Sequence, residues 1–182
     1  MRLSPTLRVV VTAVLLFAAV AVVWWLVGFQ IGKGLMDDLG AGGAWRSAYG
    51  FKEGGVARLL FLSLLAVLAL AIAGPVEGWP RWALLTAVGL GAALVLGHRD
   101  GALVGTLLFV LATAAVDEAE GGARLVLALA LGLLVAFAFG LDDAFTAGQA
   151  ALAVLLRGVL FYWPLLAGPH LLERHALARI AR

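Results

Sequence analysis

One arginine, Arg157, lies in the middle of a long apolar stretch near the carboxyl end of the chain. It follows Asp143 by about 14 residues and precedes Gly168 by about 11, which places it roughly 20 Å along a helix that rises about 1.5 Å per residue. A guanidinium at that depth costs about 2.5–3.5 kcal/mol on insertion scales and usually faces protein or water. Arg157 is therefore a candidate for binding a ligand, an ion or a partner.

A structural interpretation of Arg157 stands beside this one. A long arginine side chain can reach the headgroups while its stem stays in hydrocarbon, and Asp117 or Glu118 could pair with the guanidinium. At about 100° per residue, Thr146 falls on the same narrow stripe as Arg157, with Gln149 close beside it. This face of the predicted helix is small or polar, so Thr146 and Gln149 join Arg157 as candidate binding residues.

A second group of candidates stands where apolar runs end, on the side predicted to face outward. It comprises Lys33, Asp37, Asp38, His98, Arg99, Asp100, Asp142 and Asp143. Charged loop ends are normal in membrane proteins, so solvated corners explain the pattern; the alternative is a pocket in which carboxylates and a histidine hold a cation. No spacing in this group matches a metal site, so we expect no metal.

The sequence lacks the motifs that would support catalysis. It contains no histidine pair for haem, no Ser–His–Asp or HExxH arrangement, and no phosphate-binding glycine loop. It has no cysteine, which removes disulfides, thiolate catalysis and cysteine-ligated metals. We therefore expect a non-enzymatic protein without a cofactor.

The elements that must position these residues are membrane helices. Of the 182 residues, 64% are hydrophobic and only 13% are charged, and the mean hydropathy is +1.06. Soluble domains are about 45–50% apolar and about 25% charged, so apolar runs near the ~20 residues needed to cross a bilayer explain the composition better. The net charge of +2 is small and the basic residues sit at segment ends, so we expect lipid, and not nucleic acid, as a partner.

These runs predict an all-α integral membrane protein, a compact bundle of about six transmembrane helices forming one domain over residues 1–182. The predicted spans cover residues 6–28, 56–73, 81–97, 101–116, 123–141 and 144–168, followed by an amphipathic tail over 169–182. Glycine–proline pairs at residues 74–75 and 168–169 predict two of the helix ends. A count of five is the alternative, if the third and fourth helices form a buried re-entrant pair.

The longest interruption of the apolar pattern is residues 29–56, which contain eight glycines. Ile31, Leu35 and Leu39 recur at helical spacing, which predicts a short interfacial helix over about residues 30–39. The glycines that follow Leu39 predict its end. We expect the segment to face outward and either to cover a pocket or to contact a partner.

An even number of spans places both chain ends on the same side of the membrane. With the ends inside, seven basic residues face inward and five outward, which favours the N-in, C-in orientation in a prokaryotic inner membrane. The inner set is Arg2, Arg8, Arg81, Arg124, Arg174, Arg179 and Arg182, and the outer set is Lys33, Arg46, Lys52, Arg58 and Arg99.

Two functions fit this outline. The first is a structural or accessory subunit of a larger membrane complex, which contacts a protein partner through apolar and small-residue helix faces such as that of Gly101 and Gly105. The alternative is a small-solute or ion binding or transport protein with residues 29–56 as an outward lid. In span number the chain is similar in outline to the rod-shape cell-wall scaffold subunit. In span number and first-loop length it is similar to the substrate-binding subunit of energy-coupling-factor vitamin transporters. Neither resemblance indicates which residues of this chain form a site.

Overall fold

The computed structural model describes residues 4–49, 55–96, 100–141 and 145–172. This part of the chain is helical and contains no strand, in agreement with the predicted all-α class. The elements are α1 (Pro5–Val23), a π-helical turn π1 (Trp24–Gly28), α2 (Phe29–Asp38), α3 (Gly42–Tyr49), α4 (Gly55–Ala73), α5 (Trp79–Leu96), α6 (Asp100–Glu118), α7 (Gly121–Phe139), α8 (Ala147–Arg157), a second π-helical turn π2 (Gly158–Tyr162) and α9 (Trp163–Leu172).

Within the described ranges, four helical stretches are long and apolar enough to cross a membrane. They are Leu7–Asp38, Gly101–Glu118, Gly121–Phe139 and Ala147–Leu172, while Val56–Ile72 and Trp79–Val95 are apolar but shorter. Large apolar side chains on these helices are exposed, among them Leu26, Leu94, Val95 and Val126. Such surfaces are compatible with contact with lipid and with a membrane location.

The first helix is longer than the sequence predicted, because it does not end at Gly28. α1, π1 and α2 follow one another without a break, and Gly28 itself has helical backbone angles. A Cβ at Gly28 would lie 2.7 Å from the Trp24 ring and 3.2 Å from Leu160. The glycine therefore serves close packing of side chains on the helix, which the sequence pattern alone does not distinguish from a helix end.

Gly40 does end this helix, as predicted. Its φ is 72°, a left-handed conformation that glycine adopts without steric cost. The Gly40 N–H donates to the Asp37 carbonyl at 3.0 Å, and the Ala41 N–H donates to the Met36 carbonyl at 2.7 Å. These two bonds form a Schellman motif, which satisfies the last carbonyl groups of α2.

After this turn, α3 folds back on α2 and forms what we call the hairpin, residues 29–49. Trp45 is fully buried and covers Gly32, where a Cβ would lie 2.2 Å from the indole ring. The indole N–H donates to the Phe29 carbonyl at 3.2 Å, and Arg46 pairs with Asp37 at 3.0 Å. The predicted helix over about residues 30–39 is thus present, but as the end of a long helix and not as a separate one.

The last helix continues past the predicted stop at Gly168 and Pro169. Pro169 lies inside α9, which ends at Leu172. Proline is tolerated there because it is close to the helix end and buried by neighbouring helices. Gly168 packs against α1, since a Cβ would lie 2.4 Å from a methyl of Leu16. The rest of the predicted amphipathic tail, residues 173–182, lies outside the described residues.

The long helices run alternately up and down, so the bundle has two ends. The N-terminal end contains the first residues of α1, α5 and α7 and the last residues of α4, α6 and α9. The hairpin end contains the last residues of α2, α5 and α7 and the first residues of α4, α6 and α8. The most extensive contacts are those of α5 with α6, α6 with α7, α1 with α4 and α7 with π2. Charged residues at helix ends therefore lie in two separate places, one at each end of the bundle.

Glycines in the middle helices permit close contact within the bundle. A Cβ at Gly89 of α5 would lie 3.3 Å from the Leu107 Cα on α6, and one at Gly105 would meet the Phe139 ring of α7 at 2.6 Å. Gly91 faces open space. Gly89 and Gly105 thus bring neighbouring helices of the same chain together.

Candidate functional site

A charged cluster lies at the N-terminal end of the bundle, around Asp117 in the last turn of α6. Nη2 of Arg81, in the first turn of α5, is 2.8 Å from Oδ2 of Asp117, and Nη1 is 3.5 Å from Oε1 of Glu118. Nδ1 of His170 is 3.5 Å from Oδ1 of Asp117. Carboxylates are disfavoured at a helix C-terminus because of the helix dipole, so the neighbouring arginine compensates for their position.

Arg124 fixes the turn that follows Asp117. Its Nε donates to the Ala119 carbonyl at 2.7 Å, and Nη2 donates to the Asp117 carbonyl at 3.1 Å. The guanidinium thereby satisfies the last carbonyl groups of α6, as a cation near a helix C-terminus does. This contact holds the Asp117 backbone in place relative to α7.

A cavity of about 440 Å³, which we call the N-terminal cavity, lies beside this cluster. It is lined by Pro5, Arg8, Val9, Thr12, Val67, Leu70, Ala71, Gly74, Asp117, Pro169 and His170. Its size falls within the range of about 300–1,000 Å³ that small-molecule sites occupy. Four of its side chains are polar and the others are mostly apolar, which is the composition expected of a binding site.

Thr12 is the most unusual polar residue in this cavity. It is only 2% exposed, and its hydroxyl has no hydrogen-bond partner among the residues that the structure describes. The buried hydroxyls of Ser63, Thr106 and Thr113 instead donate to the carbonyl four residues earlier, at 2.7–2.8 Å. An unsatisfied buried hydroxyl costs about 1–3 kcal/mol. Thr12 lines the cavity, but its oxygen is buried, so an occupant reaches the hydroxyl only after the side chain rotates.

His170 borders two cavities. Its side chain is almost fully buried, and besides the N-terminal cavity it lines a second cavity of about 130 Å³ with Arg124, Leu125 and Leu171. The sequence did not single out Thr12 or His170. Thr12 carries no pattern that separates it from other small polar residues of membrane helices, and Pro169 predicted that the last helix ends before His170.

Arg157 is buried at the other end of the molecule. It is 2% exposed, its Nε donates to the Ala153 carbonyl at 3.1 Å, and Nη2 lies 3.2 Å from the position of a Cβ at Gly140. Gly140 follows the last residue of α7. Asp117 is bound to the first turn of the same helix, which lies about 28 Å from Gly140 at 1.5 Å per residue. Pairing of Arg157 with Asp117 or Glu118 is therefore excluded, and the buried guanidinium does not snorkel.

Thr146 and Gln149 have structural contacts at the hairpin end. Oε1 of Gln149 accepts from the Thr146 N–H at 3.0 Å, which caps α8. Nε2 of Gln149 donates to the Leu39 carbonyl at 2.9 Å and joins α8 to the hairpin. Gln149 thus reaches residues 29–49, where it binds the backbone of the segment.

The structure describes four members of the predicted outward group, and all four lie at the hairpin end of the bundle. Asp37 pairs with Arg46, Lys33 and Asp38 lie on α2, and Asp100 begins α6. Four other members, His98, Arg99, Asp142 and Asp143, lie outside the described residues. Within the described ranges, no three histidine or carboxylate side chains come together in a group that could hold a metal ion.

The hairpin end is packed with aromatic rings. Trp24 contacts Trp45 at 5.8 Å and Phe161 at 5.2 Å between ring centroids, and Phe139 stacks on Tyr162 at 5.4 Å. The Arg58 guanidinium lies 5.7 Å from the centroid of Phe139, within cation–π distance. Aromatic rings of the two π-helical turns thus contact each other. π1 joins α1 to α2, and π2 joins α8 to α9.

Comparison with protein-family models, with curated proteins and with solved structures finds no match for this chain.

Proposed function

We propose that this protein is a non-enzymatic integral membrane protein that binds a small ligand in the N-terminal cavity. The observation that carries the proposal is the buried, unpartnered hydroxyl of Thr12 in the wall of a cavity that also holds Asp117 and His170. Buried polar groups normally have partners, and an occupant of the cavity would supply one. This proposal retains solute binding but moves the site away from residues 29–56.

The packing of the hairpin argues against a lid over a polar pocket. Trp45 and Met36 are fully buried, and the Trp45 ring packs on Trp24. An apolar, closely packed face of this kind behaves as part of the core. The hairpin is better explained as a fixed cover of the aromatic cluster.

The centre of the bundle favours binding over transport. Leu16, Leu62 and Phe109 are buried between the two ends, and the hydroxyl of Thr113 donates to its own helix. A transport route needs polar groups that face it at successive depths, whereas the buried hydroxyls of Ser63, Thr106 and Thr113 donate to their own helices. We therefore propose a binding site that opens at one end.

Six membrane passes, with both termini on one side, complete the proposal. α4 has 19 residues and α5 has 18, so at about 1.5 Å per residue each spans about 27–29 Å, close to the ~30 Å of a hydrocarbon core. Basic residues flank both termini, at Arg2, Arg174, Arg179 and Arg182. On that pattern we propose the N-in orientation in a prokaryotic inner membrane.

The test is to fill the cavity and to measure what co-purifies. Ala71 is exposed and lines the cavity, whereas Ala18 is exposed on α1 and does not line it. We expect native mass spectrometry of the protein, extracted from its own membranes in mild detergent, to show a bound small molecule. Ala71→Phe should lose this molecule and Ala18→Phe should retain it. Retention by both variants would refute the proposed function, as would an unmodified protein that neither carries a bound molecule nor binds one added to it.

An accessory-subunit role is a second candidate, and the length of the first helix favours it. The 32 residues of Leu7–Asp38 extend about 48 Å, or about 37 Å along the membrane normal when tilted by ~40°. Ile31, Leu35 and Leu39 are exposed near the far end of this helix. Apolar side chains at or beyond the headgroups would be covered by a partner protein.

The accessory role predicts a complex that depends on these three residues. Leu35→Ser together with Leu39→Ser should release a co-purifying protein, whereas Val126→Ser, at an exposed site on α7, should not. A solitary monomer in mild detergent would count against this second candidate and leave the cavity proposal unaffected.

A further inference from the structure

The chemistry of the N-terminal cavity favours one class of ligand, and this inference rests on the proposed function. Among the described residues of its wall, Asp117 supplies the carboxylate, and both of its oxygens are engaged, Oδ2 with Arg81 at 2.8 Å and Oδ1 with His170 at 3.5 Å. Arg81 is nearly buried, with 11% of its side chain exposed, whereas 34% of the Asp117 side chain is exposed, so the contact is partly shielded from water. A carboxylate compensated in this way is a poor site for an additional cation.

The cavity wall also presents hydrogen-bond donors. Arg8 and Thr12 are four residues apart on α1 and therefore share one face of the helix, and both line the cavity. A guanidinium carries five donors and no acceptor, and the Thr12 hydroxyl has no partner among the described residues. This donor set fits a ligand rich in acceptors, and a guanidinium binds anionic acceptors more strongly than neutral ones.

The remaining wall is apolar. Val67, Leu70 and Ala71 of α4 line the cavity, together with Val9 and Pro169. From Gly74 to Val67 the helix descends about 10 Å, so an apolar part of the ligand has a surface to lie on. A ligand that satisfies both walls carries an anionic group and an apolar chain.

We propose that the N-terminal cavity binds the phosphate group of an amphiphile, with Arg8 and Thr12 as donors to the phosphate oxygens and the apolar part along α4. A membrane lipid with an anionic phosphodiester supplies both features. A soluble phosphate compound supplies only the first. Both kinds of compound carry the phosphate group, and the experiment below distinguishes a membrane lipid from a soluble compound.

The experiment measures binding to the purified full chain in detergent by native mass spectrometry and by thermal shift. The probes are phosphatidylglycerol, which is anionic, phosphatidylcholine, which is zwitterionic, and inorganic phosphate. We expect phosphatidylglycerol to bind and Arg8→Gln to weaken it about tenfold or more, as loss of a charged hydrogen bond does. Thr12→Val should weaken it several-fold. Arg46→Gln, at the exposed Arg46 of the hairpin end, is the matched control and should have no effect.

Each outcome decides one point. Binding of inorganic phosphate that depends on Arg8, without binding of either lipid, supports the phosphate and assigns it to a soluble compound. Both lipids carry a phosphodiester, so binding of either lipid that falls in Arg8→Gln supports the phosphate inference, and lipid binding that is unchanged in Arg8→Gln overturns it. If Ala71→Phe removes a co-purified molecule that carries no anionic group, the proposed function stands and this inference fails. If no molecule co-purifies and no probe binds, both fail.

Discussion

At the scale of single residues, Thr12 is distinguished by a hydroxyl that its own helix does not use. Thr12→Val keeps the shape of the side chain and removes the hydroxyl. In ligand-free protein we expect this substitution to raise the free energy of unfolding by about 1 kcal/mol, because an unsatisfied buried donor is removed. Thr113→Val should not raise it, because that hydroxyl is bonded to the Phe109 carbonyl. Thermal unfolding in detergent measures both, and a destabilised Thr12→Val protein would show that the hydroxyl has a partner.

The Arg81–Asp117 pair is expected to couple energetically. The contact is short at 2.8 Å, and both side chains are largely withdrawn from water, so it should be worth more than an exposed pair. In a double-mutant cycle with Arg81→Gln and Asp117→Asn, we expect a coupling free energy of about 0.5–3 kcal/mol. The pair Arg46 and Asp37, which is about half exposed, is the control and should give a smaller value. Equal coupling in the two pairs would contradict this ranking.

Arg157 is expected to matter for stability. Its guanidinium lies beside Gly140 at the end of α7, where a cation interacts favourably with the helix dipole. Arg157→Met keeps the apolar stem and should lower the free energy of unfolding by about 1–3 kcal/mol. Leu155→Met, at an exposed site on the same helix, should change it little. An unchanged melting temperature for Arg157→Met would indicate that the charge has no structural role.

The sequence identified Arg157 and missed Thr12 and His170 for one physical reason. A charge inside an apolar run is visible without knowledge of its neighbours, because any charge at that depth needs a compensating environment. An unpaired hydroxyl becomes visible only when the surrounding helices are in place. The cavity combines residues from α1, α4, α6 and α9, which are distant in the sequence.

At the scale of helices, the packing of α3 on α2 depends on Gly32. Gly32→Ala would place a Cβ 2.2 Å from the Trp45 ring, whereas Gly34 has open space around it. We expect Gly32→Ala to separate α3 from α2 and to lower the free energy of unfolding by about 1–3 kcal/mol, as overpacking does. Gly34→Ala should leave it unchanged or raise it slightly, because alanine favours helix.

The measurement for this pair is thermal unfolding combined with limited proteolysis of the hairpin. Faster cleavage within residues 39–49 in Gly32→Ala alone is the expected result. Equal stability and equal cleavage in the two variants would show that α3 does not pack on α2.

The positions of most helices follow from hydropathy, but their ends do not. The predicted spans 56–73, 81–97 and 123–141 lie close to Gly55–Ala73, Trp79–Leu96 and Gly121–Phe139. Gly28 and Pro169 were expected to end helices and instead lie within them. The tendency of these two residues to end a helix is outweighed by packing of Gly28 against Trp24 and by burial of Pro169 beneath neighbouring helices. The sequence alone does not reveal either contact.

At the scale of the whole molecule, the two bundle ends differ in chemistry. The N-terminal end has the Asp117 cluster and a cavity, while the hairpin end has packed aromatic rings and capping contacts. The sequence suggested the opposite arrangement, with binding residues beneath residues 29–56. The polar cavity therefore does not lie at residues 29–56, although they are the longest polar interruption in the sequence.

The most direct test of the proposed site is whether the N-terminal cavity is open to water. Because the chain has no cysteine, a single introduced cysteine can be labelled without background. Ala71→Cys places a thiol in the cavity wall, while Ile72→Cys places one at nearly the same depth, at an exposed position that does not line the cavity. Ala18→Cys reports the background reaction on the exposed face of α1.

We expect a membrane-impermeant maleimide to modify the Ala71→Cys protein much faster than the Ile72→Cys or Ala18→Cys protein, and only from the side of the chain's N-terminus. Equal labelling rates for Ala71→Cys and Ile72→Cys, or labelling of Ala71→Cys from the opposite side, would contradict a water-filled cavity that opens at the N-terminal end.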